Sequence, residues 1–141
     1  NEINADGIYI WTSPVDVDSK PAFYDQFNVV LIVEGTVNIN TNLTPTDPNN
    51  KKSLAIVANQ INFGNTTTSE EGLFIANTID SGAANFGLKI IGNLITQTTL
   101  TKNRTQLNPN QPVIFIVFDQ KKYIDLLPYL STANYDWRQI Q

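Results

Sequence analysis

The sequence contains no cysteine, no histidine and no methionine. Disulfides, zinc sites with Cys or His ligands, Cys nucleophiles and His-based triads are therefore excluded. Charged residues are only 16 % of the chain, against roughly 25 % in soluble domains. The nine Lys and Arg are scattered through an acidic chain of pI about 4.6. Their only doublets are Lys51-Lys52 and Lys121-Lys122. A nucleic-acid partner needs a basic patch, and none is present. The seven Gly stand singly, with no GxGxxG and no GxxxxGK phosphate loop. No apolar run approaches the roughly 18–20 residues of a membrane helix, so no membrane insertion is expected. The longest is Val113-Ile114-Phe115-Ile116-Val117-Phe118. No signal peptide is visible. A complete translated chain starts with Met, so the chain is expected to be part of a longer precursor. A cysteine-free chain fits the cell exterior and the cytosol equally.

What fills the gap is uncharged and polar: 18 Asn and 15 Thr among 141 residues. Apolar residues are still 41 %, so a single domain with a real core is expected, not disorder. Short runs rich in Val and Ile recur between Asn, Thr, Gly, Ser and Pro. They are Gly7–Trp11, Val29–Val33, Leu54–Ala58, Leu73–Ala76, Leu88–Ile91 and Val113–Phe118. Such runs read as strands. No helix is expected between Asn28 and Thr101.

Three segments align without gaps: Ala58-Asn59-Gln60-Ile61, Ala76-Asn77-Thr78-Ile79 and Gly92-Asn93-Leu94-Ile95. Each follows an aliphatic run. A weaker copy lies at Leu31–Val37. A unit of roughly 16–23 residues suits one coil of a parallel β-helix. The small residue lets the chain bend, and the Asn can stack on its counterpart in the next coil. Asn59, Asn77 and Asn93 are expected to form one column. Ile56, Ile61, Ile75, Ile79, Ile90 and Ile95 are expected inside. The fold class is all-β: a single-stranded, right-handed parallel β-helix. A β-sandwich with short strands is the alternative. Residues 1–27 are expected to form an irregular N-terminal cap, 28–107 the coils and 108–141 a C-terminal cap. That last cap holds a strand over Val113–Phe118 and a short helical turn over Asp119–Leu127, stopped before Pro128. Its apolar side chains between Tyr123 and Leu130 should lie across the coils or seal an end.

The repeats, an aliphatic run followed by Gly or Ala, Asn and Ile, resemble those of bactofilin-type β-helical proteins. The order of elements is also similar to that of uncharacterised bacterial surface proteins. Their opening resembles Val29-Val30-Leu31-Ile32-Val33-Glu34-Gly35-Thr36-Val37-Asn38-Ile39. Their coils resemble Ala55–Ile61 and Ile90–Ile95, and their tail Phe118–Leu130 with Trp137. The chain lacks a Pro after Asp119 and has one Pro128 where that tail often has two. The resemblance covers about residues 28–141 and implies a surface or secreted β-helix. It implies no activity.

Carboxylates are the only groups left for catalysis. Glycoside hydrolysis needs two of them about 5–9.5 Å apart. The candidates are Asp16 with Asp18, Glu70 with Glu71, Asp80, Asp119, Asp125 and Asp136. Asp16 and Asp18 would share one face of an extended segment. Glu34, Asp80 and Lys89 give the middle coils one charge each and no cluster. Asp16, Asp18, Ser19 and Asp25 could contribute oxygens to calcium but lack the standard loop. Asn42-Leu43-Thr44, Asn65-Thr66-Thr67 and Asn103-Arg104-Thr105 match the N-glycosylation acceptor. Tyr9, Trp11, Phe23, Tyr24, Tyr129, Tyr135 and Trp137 could stack on sugars, or plug the ends of the coil stack. The balance favours a non-enzymatic structural or display module, extracellular or at the cell surface. Other surface proteins or glycans are its candidate partners. A carbohydrate-binding module is the first rival and a polysaccharide-active enzyme the second. No residue is assigned a catalytic, cofactor-binding or metal-binding role, and no cofactor is implied.

Overall fold

The computed structural model describes residues 2–49 and 52–131. Strands make up 47 % of these and form one all-parallel sheet, wound into a β-solenoid of about five turns. The strands are β1 (Gly7–Trp11), β2 (Val15–Val17), β3 (Val29–Ile39), β4 (Leu54–Phe63), β5 (Ser69–Asp80), β6 (Leu88–Thr101) and β7 (Ile114–Phe118). They pair in the order β1-β3-β4-β5-β6-β7, and β2 also pairs with β3. Every pairing is parallel, which disposes of the sandwich. A helix, α1 (Gln120–Leu130), follows. Among the described residues no helix is long and apolar enough to cross a membrane.

Coil length varies while register holds. Ile8, Val30, Ala55, Leu73 and Asn93 are successive partners in the sheet, so four coils take 22, 25, 18 and 20 residues. Residues 7–17, expected in an irregular cap, pair with β3 and therefore form the first coil.

Each long strand turns a corner. Ala58 and Ile61 both pack inside, as do Ala76 and Ile79, although each pair is three residues apart. In a straight strand that spacing would put them on opposite faces. The corner falls at Asn59-Gln60 and Asn77-Thr78. Opposite Asn59, β3 carries two residues, Glu34 and Gly35; opposite Asn77, β6 carries Gln97 and Thr98. These extra residues are bulges that sharpen the turn.

The third member of the expected Asn column does not join it. Asn93 is the register partner of Leu73, whereas the partner of Ala76 is Thr96. The bulge in β6 moves the corner beyond the sequence match. Asn59 and Asn77 do share a corner, but both are exposed. Ile56, Ile61, Ile79 and Ile90 are buried in the core. Ile75 is only half-buried, and Ile95 is 38 % exposed. Those two point outward in line with Ile10, Ile32 and Val57.

The runs Val29–Val33 and Leu54–Val57 are continuous rather than alternating because both sides of the sheet are covered. Val29, Leu31 and Val33 face the interior. Val30, Ala55 and Leu73 face out, beneath Leu126 of α1. The helix lies along the outside of the coils, touching β3, β4, β5 and β6. It runs through Pro128 to Leu130, past the expected stop. Proline removes one helical donor, the one that would bond the Ile124 carbonyl. Ile124 and Pro128 are both exposed, where water can take that carbonyl. Asp119 caps the N-terminus by accepting from the Lys121 N–H.

Candidate functional site

The Asn-rich composition finds its use between coils. Asn38 donates to Asp16 at 2.6 Å, and Asn62 donates to Asn38 at 2.8 Å. Asp16, Asn38, Asn62 and Asp80 are register partners, so they form an outward column across four coils. Asn28 reaches Asp6, Asn40 reaches Asp18, and Asn103 reaches Asp80. The three glycosylation-type Asn are all engaged this way, since Asn42 bonds Thr68 and Asn65 accepts from Ala83. A ladder of stacked amides was legible, but its members are not the ones in the repeat.

The carboxylate candidates separate. Asp16 and Asp18 do lie on one side with Val17 turned inward, and each is held by an Asn of the next coil. Glu70 and Glu71 diverge. Glu71 faces α1 and pairs with Lys122 at 2.6 Å. Glu70 is fully buried. Its Oε2 accepts from the Leu43 N–H at 2.9 Å, and its Oε1 has no partner among the described residues. Burial pushes the Glu70 carboxyl up to about 8, against the Leu43 hydrogen bond and the Arg104 charge. Asp80 closes a turn by accepting from the Gly82 N–H. Asp119 is the helix cap, and Asp125 takes the Ser53 hydroxyl and Lys121. Asp136 lies outside the described residues. Glu34, Asp80 and Lys89 sit at different register positions and do not meet.

Asp25 does not join Asp16 and Asp18. It holds Lys20 at 2.6 Å and the Thr46 hydroxyl at 2.6 Å. Desolvation raises its carboxyl, but the bonds from Lys20 and Thr46 outweigh that and hold it at about 2. Among the described residues no group of three or more acidic side chains could hold a metal.

One buried group was not anticipated. The Arg104 guanidinium donates to the Ser81 carbonyl (2.5 Å), the Thr67 carbonyl (2.7 Å), the Gly64 carbonyl (3.0 Å) and the Thr67 hydroxyl (3.0 Å). Burial lowers its pKa while Glu70 opposes that. In the sequence this Arg sits inside an Asn-x-Thr triplet, with no periodicity to mark it as internal.

The aromatic candidates also divide. Tyr24 is buried, its hydroxyl 2.8 Å from the Leu43 carbonyl and 2.7 Å from that of Glu71. Burial, then Glu71, Glu70 and Asp25, push its phenol up. Tyr129 packs on the outward cluster under α1. Tyr135 and Trp137 lie outside the described residues. Tyr9, Trp11, Phe23 and Phe27 pack against the first coils and partly close the N-terminal end. They leave two concave spaces there. A cleft of about 360 Å³ lies among Trp11, Phe23, Asp16, Asp18, Leu31 and Leu43. A second, of about 460 Å³, lies among Glu2, Ile3, Trp11, Phe23 and Phe27.

No protein-family model matches the chain, and no curated protein or solved structure matches it either.

Proposed function

We propose that the chain is a non-enzymatic structural or display module, a stiff β-solenoid that holds its outer faces at fixed spacing. The observation that carries this reading is where the polar side chains go. Asp16, Asp18, Asp80, Asp119, Asp125, Glu71 and Arg104 all bond neighbouring parts of the same chain. Groups held this way support a scaffold; they are poorly placed to turn over a substrate. The bactofilin-like form of the repeats, and the tail shared with bacterial surface proteins, support placing the module at a cell surface or in secretion. Other surface proteins are then its natural partners.

A glycan array probed with the purified chain tests this reading. A structural module gives no dose-dependent hits. Reproducible hits lost in a Trp11→Ala variant would replace it with the glycan-binding reading. Protease shaving of intact source cells tests the location: a surface module is cleaved without lysis.

A further inference from the structure

We propose that the N-terminal mouth of the solenoid binds an organic ammonium ion, a cation with a compact apolar body. This inference does not rest on the structural-module reading. Trp11 and Phe23 are both half-buried and line both clefts, so they form a wall between them. On one side the floor is the solenoid interior itself, with Leu31, Leu43, Leu54 and Ile56. An apolar floor of this kind takes a hydrocarbon or aromatic ring. The cleft's roughly 360 Å³ is within the range of small-molecule sites.

The rim selects the charge. Asp16 and Asp18 stand side by side at the mouth, and both are exposed. Each uses its Oδ1 to accept from an Asn of the next coil, Asn38 or Asn40. Each Oδ2 is left facing outward, without a hydrogen bond among the described residues. Glu2 contributes a third acid beyond the aromatic wall. No Lys or Arg lines either cleft. Lys20, the nearest cation in sequence, is turned to Asp25, Thr44 and Thr46. A cation entering such a mouth meets two carboxylates and the faces of two aromatic rings. A neutral sugar would find few polar partners on the floor, and an anion would meet like charge.

The test is calorimetric titration of the full chain with 2-phenylethylammonium, 2-phenylethanol and phenylacetate, three bodies of one shape and different charge. Proton–nitrogen correlation spectra locate the site through the Trp11 indole signal, identified by its loss in Trp11→Phe. The ammonium should bind at about 1 mM or tighter, as expected for about nine heavy atoms. The neutral alcohol should bind about fivefold more weakly and the acetate not at all. The double variant Asp16→Asn, Asp18→Asn should weaken the ammonium about fivefold and leave the alcohol and the melting temperature unchanged. Added salt should do the same by screening. Equal affinity for the three probes, or an unchanged ammonium affinity in the double variant, would overturn the proposal. So would shifts that leave the Trp11 indole untouched, or no binding at all.

Discussion

Gly92 sits so close beneath Gly72 that a Cβ on Gly92 would lie 2.1 Å from the Gly72 carbonyl oxygen. The two residues are register partners in β5 and β6, and Gly92 has a φ of 131°. The obstacle is backbone, fixed by the ladder, so it cannot swing aside. Gly92→Ala should cost at least about 2 kcal/mol, from strain and overpacking together. Urea denaturation measures it. A change below about 0.5 kcal/mol would show that the coils can spread there.

Glu70 should give stability an unusual slope with pH. Its carboxyl rises from an ordinary 4.5 to about 8 in the folded chain. The folded state therefore holds a proton that the unfolded state has lost between those values. The stabilisation is fully present below about pH 4.5 and is lost as pH rises to about 8, at up to about 1 kcal/mol per pH unit. Glu70→Gln should flatten that slope. Parallel slopes for the two proteins between pH 5 and 8 would contradict it.

Asp25 acts at the other end. Its carboxyl is held at about 2 in place of 3.8. Its contribution is present above pH 4 and disappears as pH falls through about 2. Asp25→Asn should therefore lose stability at pH 5 relative to the parent chain, and approach it at pH 2. Partial exposure keeps the effect at pH 5 to about 1 kcal/mol.

Arg104→Lys should not be conservative. A lysine has no planar fork to reach Gly64, Thr67 and Ser81 together. It would leave buried carbonyls unpaired, and about 3–5 kcal/mol should be lost. Thermal melting would show it; a shift under 2 °C would mean that Lys fills the site.

The ladder and the exposed corner can be separated by two alanines. Asn38→Ala breaks bonds to both Asp16 and Asn62 and should cost about 0.5–1.5 kcal/mol. Asn77→Ala removes an exposed side chain and should stay within about 0.5 kcal/mol. The reverse order would restore the column at Asn59, Asn77 and Asn93.

The parallel coils were legible because their apolar runs recur with small-residue corners, and two of the three corners fall where the pattern put them. Asn93 misled because β6 carries a bulge, and an inserted residue shifts the register without changing a short motif. Ile75 and Ile95 were misplaced for a related reason. An Ile after an aliphatic run can face in or out, and a one-residue difference in phase decides it. The outward cluster of Val30, Ala55 and Leu73 could not be separated from the core, since both read as apolar. Only the position of α1 distinguishes them. The Asn cross-links and the Arg104 cage depend on contacts about 20–40 residues apart, which no local pattern encodes. The mouth of the solenoid was half visible. Its aromatics and Asp16 and Asp18 stood out separately, but nothing along the chain joined them to Leu31 and Leu43.

The position of α1 has a mechanical consequence. In a solenoid the backbone bonds run from coil to coil, so tension along the axis would peel one coil at a time. The helix spans that direction. Leu126 grips β3, β4 and β5 through Val30, Ala55 and Leu73, Lys122 holds Glu71, and Tyr123 takes the Asn93 side chain. It works as a strap that loads four strands at once. The coil of β1 and β2 lies outside the strap and would yield first under load, while the strapped coils stay together.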